Sequence, residues 1–219
     1  MMRLFFHTLP LFFILPFSSF LFAQKTFKSG PLFGLSATQV DGDGYGGFNK
    51  AGLIAGGFVL TELKPKLDIQ FEIYFINKGS RRNPRPDKGD HDAFLLKLNY
   101  IEVPVTFLYH YKKLSAELGA YIGYKIYDYM ADENGELPQQ NILFENTDIG
   151  GSLGIYYHFS EHWSLNWRSS NSFLPIREYP SIDTHFDIYN RIFNRGWYNI
   201  VSTLCFRYTF GIKNQSENE

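Results

Sequence analysis

Between residues 197 and 210 the chain alternates with a period of two. Every second residue from Tyr198 gives Tyr198, Ile200, Ser202, Leu204, Phe206, Tyr208 and Phe210, and the interleaved set is Asn199, Val201, Thr203, Cys205, Arg207 and Thr209. A two-residue period places successive side chains on opposite faces of an extended strand, so one face is aromatic and apolar and the other mostly polar. The run is longer than the usual strand of a soluble sheet. It has the length and patterning of a tilted strand crossing a bilayer.

Seven earlier segments repeat the pattern. The spacing predicts strands over 30–39, 50–60, 67–79, 94–109, 114–130, 146–159, 163–176 and 197–211. Gly34, Gly52, Gly56 and Gly57 blur the alternation in the first two, as glycine does where a strand bends or another backbone comes close. Connections alternate in length: 40–49, 80–93, 131–145 and 177–196 are long, whereas 61–66, 110–113 and 160–162 are short. An even strand count with short turns at one end and long loops at the other is the pattern of outer-membrane barrels.

Parity sharpens the reading. One set runs through Leu67, Ile69, Phe71, Ile73 and Phe75, then through Ile101, Val103, Val105, Phe107 and Tyr109. It continues with Leu114, Leu118, Ile122 and Ile126, with Ile149, Leu153 and Ile155, and with Trp163, Leu165 and Trp167, and it carries no charge. Asp68, Glu72, Glu102, Glu117, Lys125, Arg168 and Arg207 all fall on the opposite face. A lipocalin-like soluble barrel would show the same alternation turned inside out. Tyr109, Tyr111, Phe159, Trp163, Tyr208 and Phe210 gather at the short-turn ends, which is where an interfacial aromatic girdle would lie.

Residues 1–23 hold Arg3, an apolar run and a terminal Ala23, the pattern of a cleaved export signal, although Leu21, three residues before the cut, is large for that position. Beyond it no run of 18 apolar residues occurs, so a membrane-embedded form of this chain has to be a closed barrel. The organisation expected is a signal over 1–23, one barrel domain over 24–211 and a polar tail over 212–219. A net charge of −1 argues against a nucleic-acid surface. The lone Cys205 excludes an internal disulfide.

Residues 71–80 (FEIYFINKGS) and 98–107 (LNYIEVPVTF), with the glycine-rich 41–58 stretch and the run LSAELGAYIGY at 114–124, resemble the PorT-like outer-membrane β-barrel family of Bacteroidetes. That resemblance implies an eight-stranded barrel without an established enzymatic site. The family is named after a secretion-system component, but most relatives have no assigned role, so the resemblance implies no specific one.

Motifs for chemistry are sparse. The Asp41-Gly42-Asp43-Gly44 stretch is oxygen-rich but lacks the later ligands and the bidentate Glu of a calcium loop, and Asp-Gly pairs are ordinary turn formers. Asp132, Glu133 and Glu136 read as a solvated acidic loop. Neither metal nor cofactor is expected. The loop after the third strand carries Lys78, Arg81, Arg82, Arg85 and Lys88 beside Asp87, Asp90 and Asp92. Clustered guanidinium groups suit phosphate, which makes Arg81, Arg82 and Arg85 the candidate contacts to lipopolysaccharide. A lipid A or phospholipid hydrolase would need a serine, a histidine and an orienting acid at one rim; Ser170 or Ser172 with His185 and Asp183 is the available set.

The expected architecture is therefore all-β: an eight-stranded antiparallel up-and-down transmembrane β-barrel with short periplasmic turns and long extracellular loops. Its lumen would be filled by side chains, with Glu72, Glu102, Glu117, Arg168 and Arg207 forming one charged network in the periplasmic half. The expected role is structural or interactive rather than catalytic, with a link to secretion or envelope integrity. Its partners would be outer-membrane lipid and lipopolysaccharide, the barrel-assembly machinery during insertion, and an extracellular or secretion-system protein. A lipid-modifying enzyme and a soluble ligand-binding barrel are the alternatives.

Overall fold

A computed structural model of the chain describes residues 27–137, 143–178 and 196–210. The expected signal, the polar tail, and Asp183 and His185 lie outside the described residues. Eight long strands form: β1 (Phe27–Asp41), β2 (Lys50–Lys64), β3 (Leu67–Arg82), β4 (Phe94–Tyr111), β5 (Leu114–Asp132), β6 (Thr147–His158), β7 (Trp163–Ser172) and β8 (Tyr198–Tyr208). Each pairs antiparallel with its sequence neighbours, and β1 pairs with β8, so the sheet closes on itself. Strands β1, β3 and β5 run on into stretches that the sequence assigns to loops, and Gly135–Glu136 pairs back onto the end of β5.

Two-residue turns join β2 to β3 and β4 to β5. Lys66 (φ 71) and Lys112 (φ 56) hold left-handed backbone there. The last residues of the three short connections also tie neighbouring hairpins together. The amide of His110 donates to the carbonyl of Lys66 at 2.8 Å, that of His158 to Lys113 at 2.8 Å, and that of Thr209 to His162 at 2.8 Å. The backbone groups at this rim are thus paired around much of the barrel, as a low-dielectric surrounding demands.

Side-chain parity follows the alternation throughout. On the outside Leu118, Leu153 and Leu204 are 61%, 62% and 46% exposed, whereas their neighbours Glu117, Ser152 and Thr203 are 3%, 5% and 4% exposed. Tyr109, Tyr111, Phe159, Trp163 and Phe210 form an exposed belt at the short-turn end, with Tyr208 packed edge-on against Trp163 and Phe210 at 4.9 Å each. The apolar surface of this molecule is on its outside, and its interior is polar over most of its height.

Two glycines make close strand approach workable. A Cβ on Gly34 would run into the carbonyl of Leu204, and one on Gly56 into that of Ile73 and the backbone of Tyr74. The irregular alternation of the first two strands thus marks a tightly coiled sector beside large inward side chains such as Phe58 and Tyr74.

Candidate functional site

The polar interior is built in levels, and strand parity decides what reaches it. At the short-turn mouth, His110 touches Ser115 Oγ through Nδ1 at 2.6 Å and Asp68 Oδ2 through Nε2 at 2.9 Å. Ser115 Oγ also meets His158 Nε2 at 2.7 Å. These residues hold a serine, two imidazoles and a carboxylate in one chain of hydrogen bonds. Ser115 is 1% exposed, however, and a nucleophile needs an approach for its substrate, so the arrangement reads as a polar relay that satisfies groups at the mouth.

One level further in, Arg168 clamps Glu72 with both terminal nitrogens, at 2.8 and 2.9 Å, and reaches Glu117 Oε1 at 2.6 Å. Arg207 donates to Glu72 Oε1 at 2.6 Å and to Gln70 Oε1 at 2.9 Å, with its guanidinium 4.2 Å from the Phe58 ring centroid. Asn166 donates to Glu117 at 3.0 Å, and Gln70 Nε2 donates to Glu72 at 2.6 Å and Tyr156 at 3.1 Å. Two guanidinium groups and two carboxylates cancel in charge, and the planar forks match carboxylate geometry.

Glu102 does not join this group, contrary to the single network expected from the sequence. It stands directly across the ladder from Tyr74, one pleat above Glu72, and pairs with Lys78. Lys78 is likewise a lumen residue and not part of the loop. Its ammonium donates to Asp148 at 2.9 Å and lies 4.6 Å from the Tyr121 ring centroid. Asp148 also accepts from Ser172 at 2.7 Å and Asn199 at 2.8 Å. Tyr74 bridges the levels, since its hydroxyl accepts from Arg168 at 3.4 Å. The lumen therefore holds two stacked ionic levels.

The long-loop end is apolar. Phe94 packs against Tyr45 at 4.7 Å and against Trp197 at 6.5 Å, and Phe144 meets Trp197 at 5.8 Å. Leu96, Leu98, Ile176 and Val201 complete a buried cap over the Lys78 level.

Arg81, Arg82 and Arg85 line a cavity of about 330 Å³ with Tyr45 and Asp90 at this end. They are not equivalent. Arg82 bonds Asp90 at 2.8 Å and Asp92 at 3.3 Å, and that hydrogen bond holds the Asp90 carboxyl below its ordinary range. Arg85 exchanges backbone hydrogen bonds with Asp90. Arg81 donates from Nε to Asn83 Oδ1 at 2.7 Å. In the first loop Asp43 Oδ1 accepts the Tyr45 amide at 2.7 Å, while Gly42 and Gly44 take positive φ; burial raises the Asp43 carboxyl above its usual range. The Asp-Gly repeat is thus built as a turn, with one carboxylate committed to it. Ser172 is likewise committed to Asp148 and to the Asn199 amide, which donates to it at 3.1 Å.

Sequence reasoning groups Lys78 with the basic residues of the following loop and passes over Asp148, although both fall inside expected strands with inward parity. It also passed over the Asp68, His110, Ser115 and His158 group, where three connections must meet before any spacing is visible.

Comparison with solved structures gives remote likenesses. Ail of Yersinia pestis, solved in complex with the heparin analogue sucrose octasulfate, is 12% identical with a TM-score of 0.47, over 84% of this chain and 99% of that one. Neisserial surface protein A is 10% identical with a TM-score of 0.44, over 83% and 95%. The N-terminal β-barrel domain of Pseudomonas aeruginosa OprF is 9% identical with a TM-score of 0.41, over 85% and 100%. Likeness this remote speaks to neither ligand nor activity. No curated protein matches the chain. Residues 22–177 match the model of the outer membrane protein beta-barrel domain, and the chain belongs to that family.

Proposed function

We propose that this outer-membrane barrel is a closed, non-catalytic element of the envelope that acts through its extracellular loops and its lipid-facing wall rather than through its lumen. The observation that carries this reading is the double ionic plug: Arg168, Glu72 and Glu117 at one level and Lys78, Glu102 and Asp148 at the next are each 3% exposed or less. An eight-stranded barrel has an interior just wide enough for side chains, and here bulky, mutually bonded ones occupy it under an aromatic cap. Planar-bilayer recording tests the proposal. The protein should give no discrete conductance steps, whereas Lys78→Ala combined with Arg168→Ala should leak ions; stable steps from the unaltered protein would refute the plug.

The likeness of residues 71–80 and 98–107 to PorT-like barrels supports a place among them; it carries no role with it, and a link to secretion or envelope integrity is proposed on the closed lumen and the exposed loops alone. A strain lacking the protein should then differ in its secreted proteins or its detergent sensitivity. An export signal over 1–23 supports insertion from the periplasm by the barrel-assembly machinery. Fractionation with the outer membrane and a heat-dependent shift in gel mobility are the expected results, and a soluble protein would favour the lipocalin-like alternative.

A further inference from the structure

The outward face of β3 and β4 changes character near its upper end. Apolar residues continue from Leu67 to Phe75 on β3 and from Tyr109 to Ile101 on β4, and then the face turns polar. Asn77 stands opposite Asn99 and donates to it at 2.7 Å; above them come Lys97, opposite Gly79, and Arg81, opposite Leu95. Asn77 is ten residues up from Leu67, which at about 3.3 Å per residue and a tilt near 40° is roughly 25 Å. That is about the height of the apolar band of a membrane barrel. Lys97 and Arg81 therefore emerge just above the hydrocarbon, at headgroup level.

Lys50 joins them. It is 7% exposed, lies within electrostatic reach of Lys97, and lines one cavity of about 520 Å³ with Arg81, Lys97, Asn77 and Asn99. Among the described residues no carboxylate lines that cavity. The Lys97 ammonium is held 5.2 Å from the Tyr129 ring centroid. Arg82, one residue along, is by contrast already neutralised by Asp90 and Asp92. Three converging cations repel one another and, in a partly desolvated setting, do so strongly; an anion seated among them would reverse the sign of the interaction. Guanidinium and ammonium donors flanked by amide donors suit a phosphate.

We infer that Lys50, Arg81 and Lys97 form a binding site for the phosphate of a phosphorylated glycolipid of the outer leaflet, of which lipid A is the type. This rests on the outer-membrane placement proposed above. The lipid source follows from position: the cavity opens outward directly above Phe75, Ile101 and Val103, so acyl chains attached to the same ligand would lie along an apolar wall.

The full chain, folded in a neutral detergent, would be titrated with lipid A, with enzymatically dephosphorylated lipid A and with inorganic phosphate. Intact lipid A should bind most tightly. Arg81→Ala with Lys97→Ala should weaken it about thirtyfold, since each cation near an anionic lipid surface contributes roughly fivefold. Arg82→Ala should leave it unchanged. Heat-dependent gel mobility of each variant checks folding, and both substitutions lie on the surface. Equal binding of dephosphorylated lipid A, or equal binding by the double variant, would overturn the site. Inorganic phosphate competing as well as lipid A would overturn the lipid source. Recovery of the protein in the soluble fraction would instead overturn the outer-membrane placement itself.

Discussion

Arg168→Ala gives the most demanding test of the lumen. The lower ionic level holds Glu72 and Glu117 against Arg168 and Arg207, and the variant leaves two carboxylates facing one cation. Glu72 keeps Arg207 at 2.6 Å, but Glu117 keeps only the Asn166 amide at 3.0 Å. Removing one partner of a truly buried pair costs about 3 to 5 kcal/mol, and most of that should trace to Glu117. Glu117→Gln added to Arg168→Ala should therefore restore part of the loss, with a coupling of roughly 1 to 3 kcal/mol. Glu102→Gln should not, because its cation is Lys78 on the next level. Urea unfolding in lipid vesicles, followed by tryptophan fluorescence and gel mobility, supplies all the stabilities. If Arg168→Ala and Glu117→Gln simply add, or if Glu102→Gln couples to Arg168→Ala as strongly, the two-level arrangement is wrong.

Three further outcomes are expected. Leu153→Arg, at an outward site 62% exposed, should cost roughly 2 to 4 kcal/mol in a bilayer, and Ser152→Arg should act differently, through overfilling of the lumen; equal costs that vanish in detergent for both would refute the side assignment. Gly56→Ala should destabilise by about 1 to 3 kcal/mol, since the added Cβ meets the Ile73 carbonyl and the Tyr74 backbone, while Ala55→Gly next to it should cost less in the same unfolding assay. The Asp90 carboxyl, held down by the hydrogen bond from Arg82, should titrate below its ordinary value of 3.8 and return toward it in Arg82→Ala. The folded pKa is the lower one, so the contact is present at neutral pH and is lost as the pH falls through that lowered value; carbonyl NMR of the side chain reads it.

The architecture was legible because a two-residue period survives every local irregularity, and because turn and loop lengths alternate without exception. Membership of the lumen was legible for the same reason: Glu72, Glu117, Arg168 and Arg207 are inward by parity, and the structure brings them into contact. Partner choice was less legible. Counting residues from each turn places Glu102 one pleat above Glu72, where the cross-strand register sets it opposite Tyr74, but the count gives no sign that the long Lys78 side chain reaches Glu102 from above and pairs with it. Lys78 lies inside the expected third strand with inward parity, but in the sequence it stands close to Arg81, Arg82, Arg85 and Lys88 and reads as one more cation of that basic cluster. Lys97 lies beyond Ile101, where the apolar outward run ends and Asn99 begins the polar part of the face, so the alternation of apolar residues does not mark it. The Asp68, His110, Ser115 and His158 group depends on which strands are neighbours, and its spacing alone carries no mark.

The buried charges bear on which structures the chain is able to reject. Arg207 on the last strand grips Glu72 on the third, 135 residues earlier, so the pair forms only when β8 has met β1 in one alignment. A slip of one residue would turn the strand over and put Arg207 on the outer wall beside the aromatic belt, where a cation costs only about 0 to 1 kcal/mol. It would, however, strand the Glu72 carboxylate inside and carry the apolar face of the strand into the polar lumen. A slip of two keeps the parity but moves the guanidinium by nearly 7 Å along the strand, on the order of two residues of rise, and leaves both partners buried and unmatched. Whatever these ion pairs add to the depth of the native minimum, they raise its nearest competitors. The polar lumen thus acts as a check on alignment, made at the moment the first and last strands close the ring.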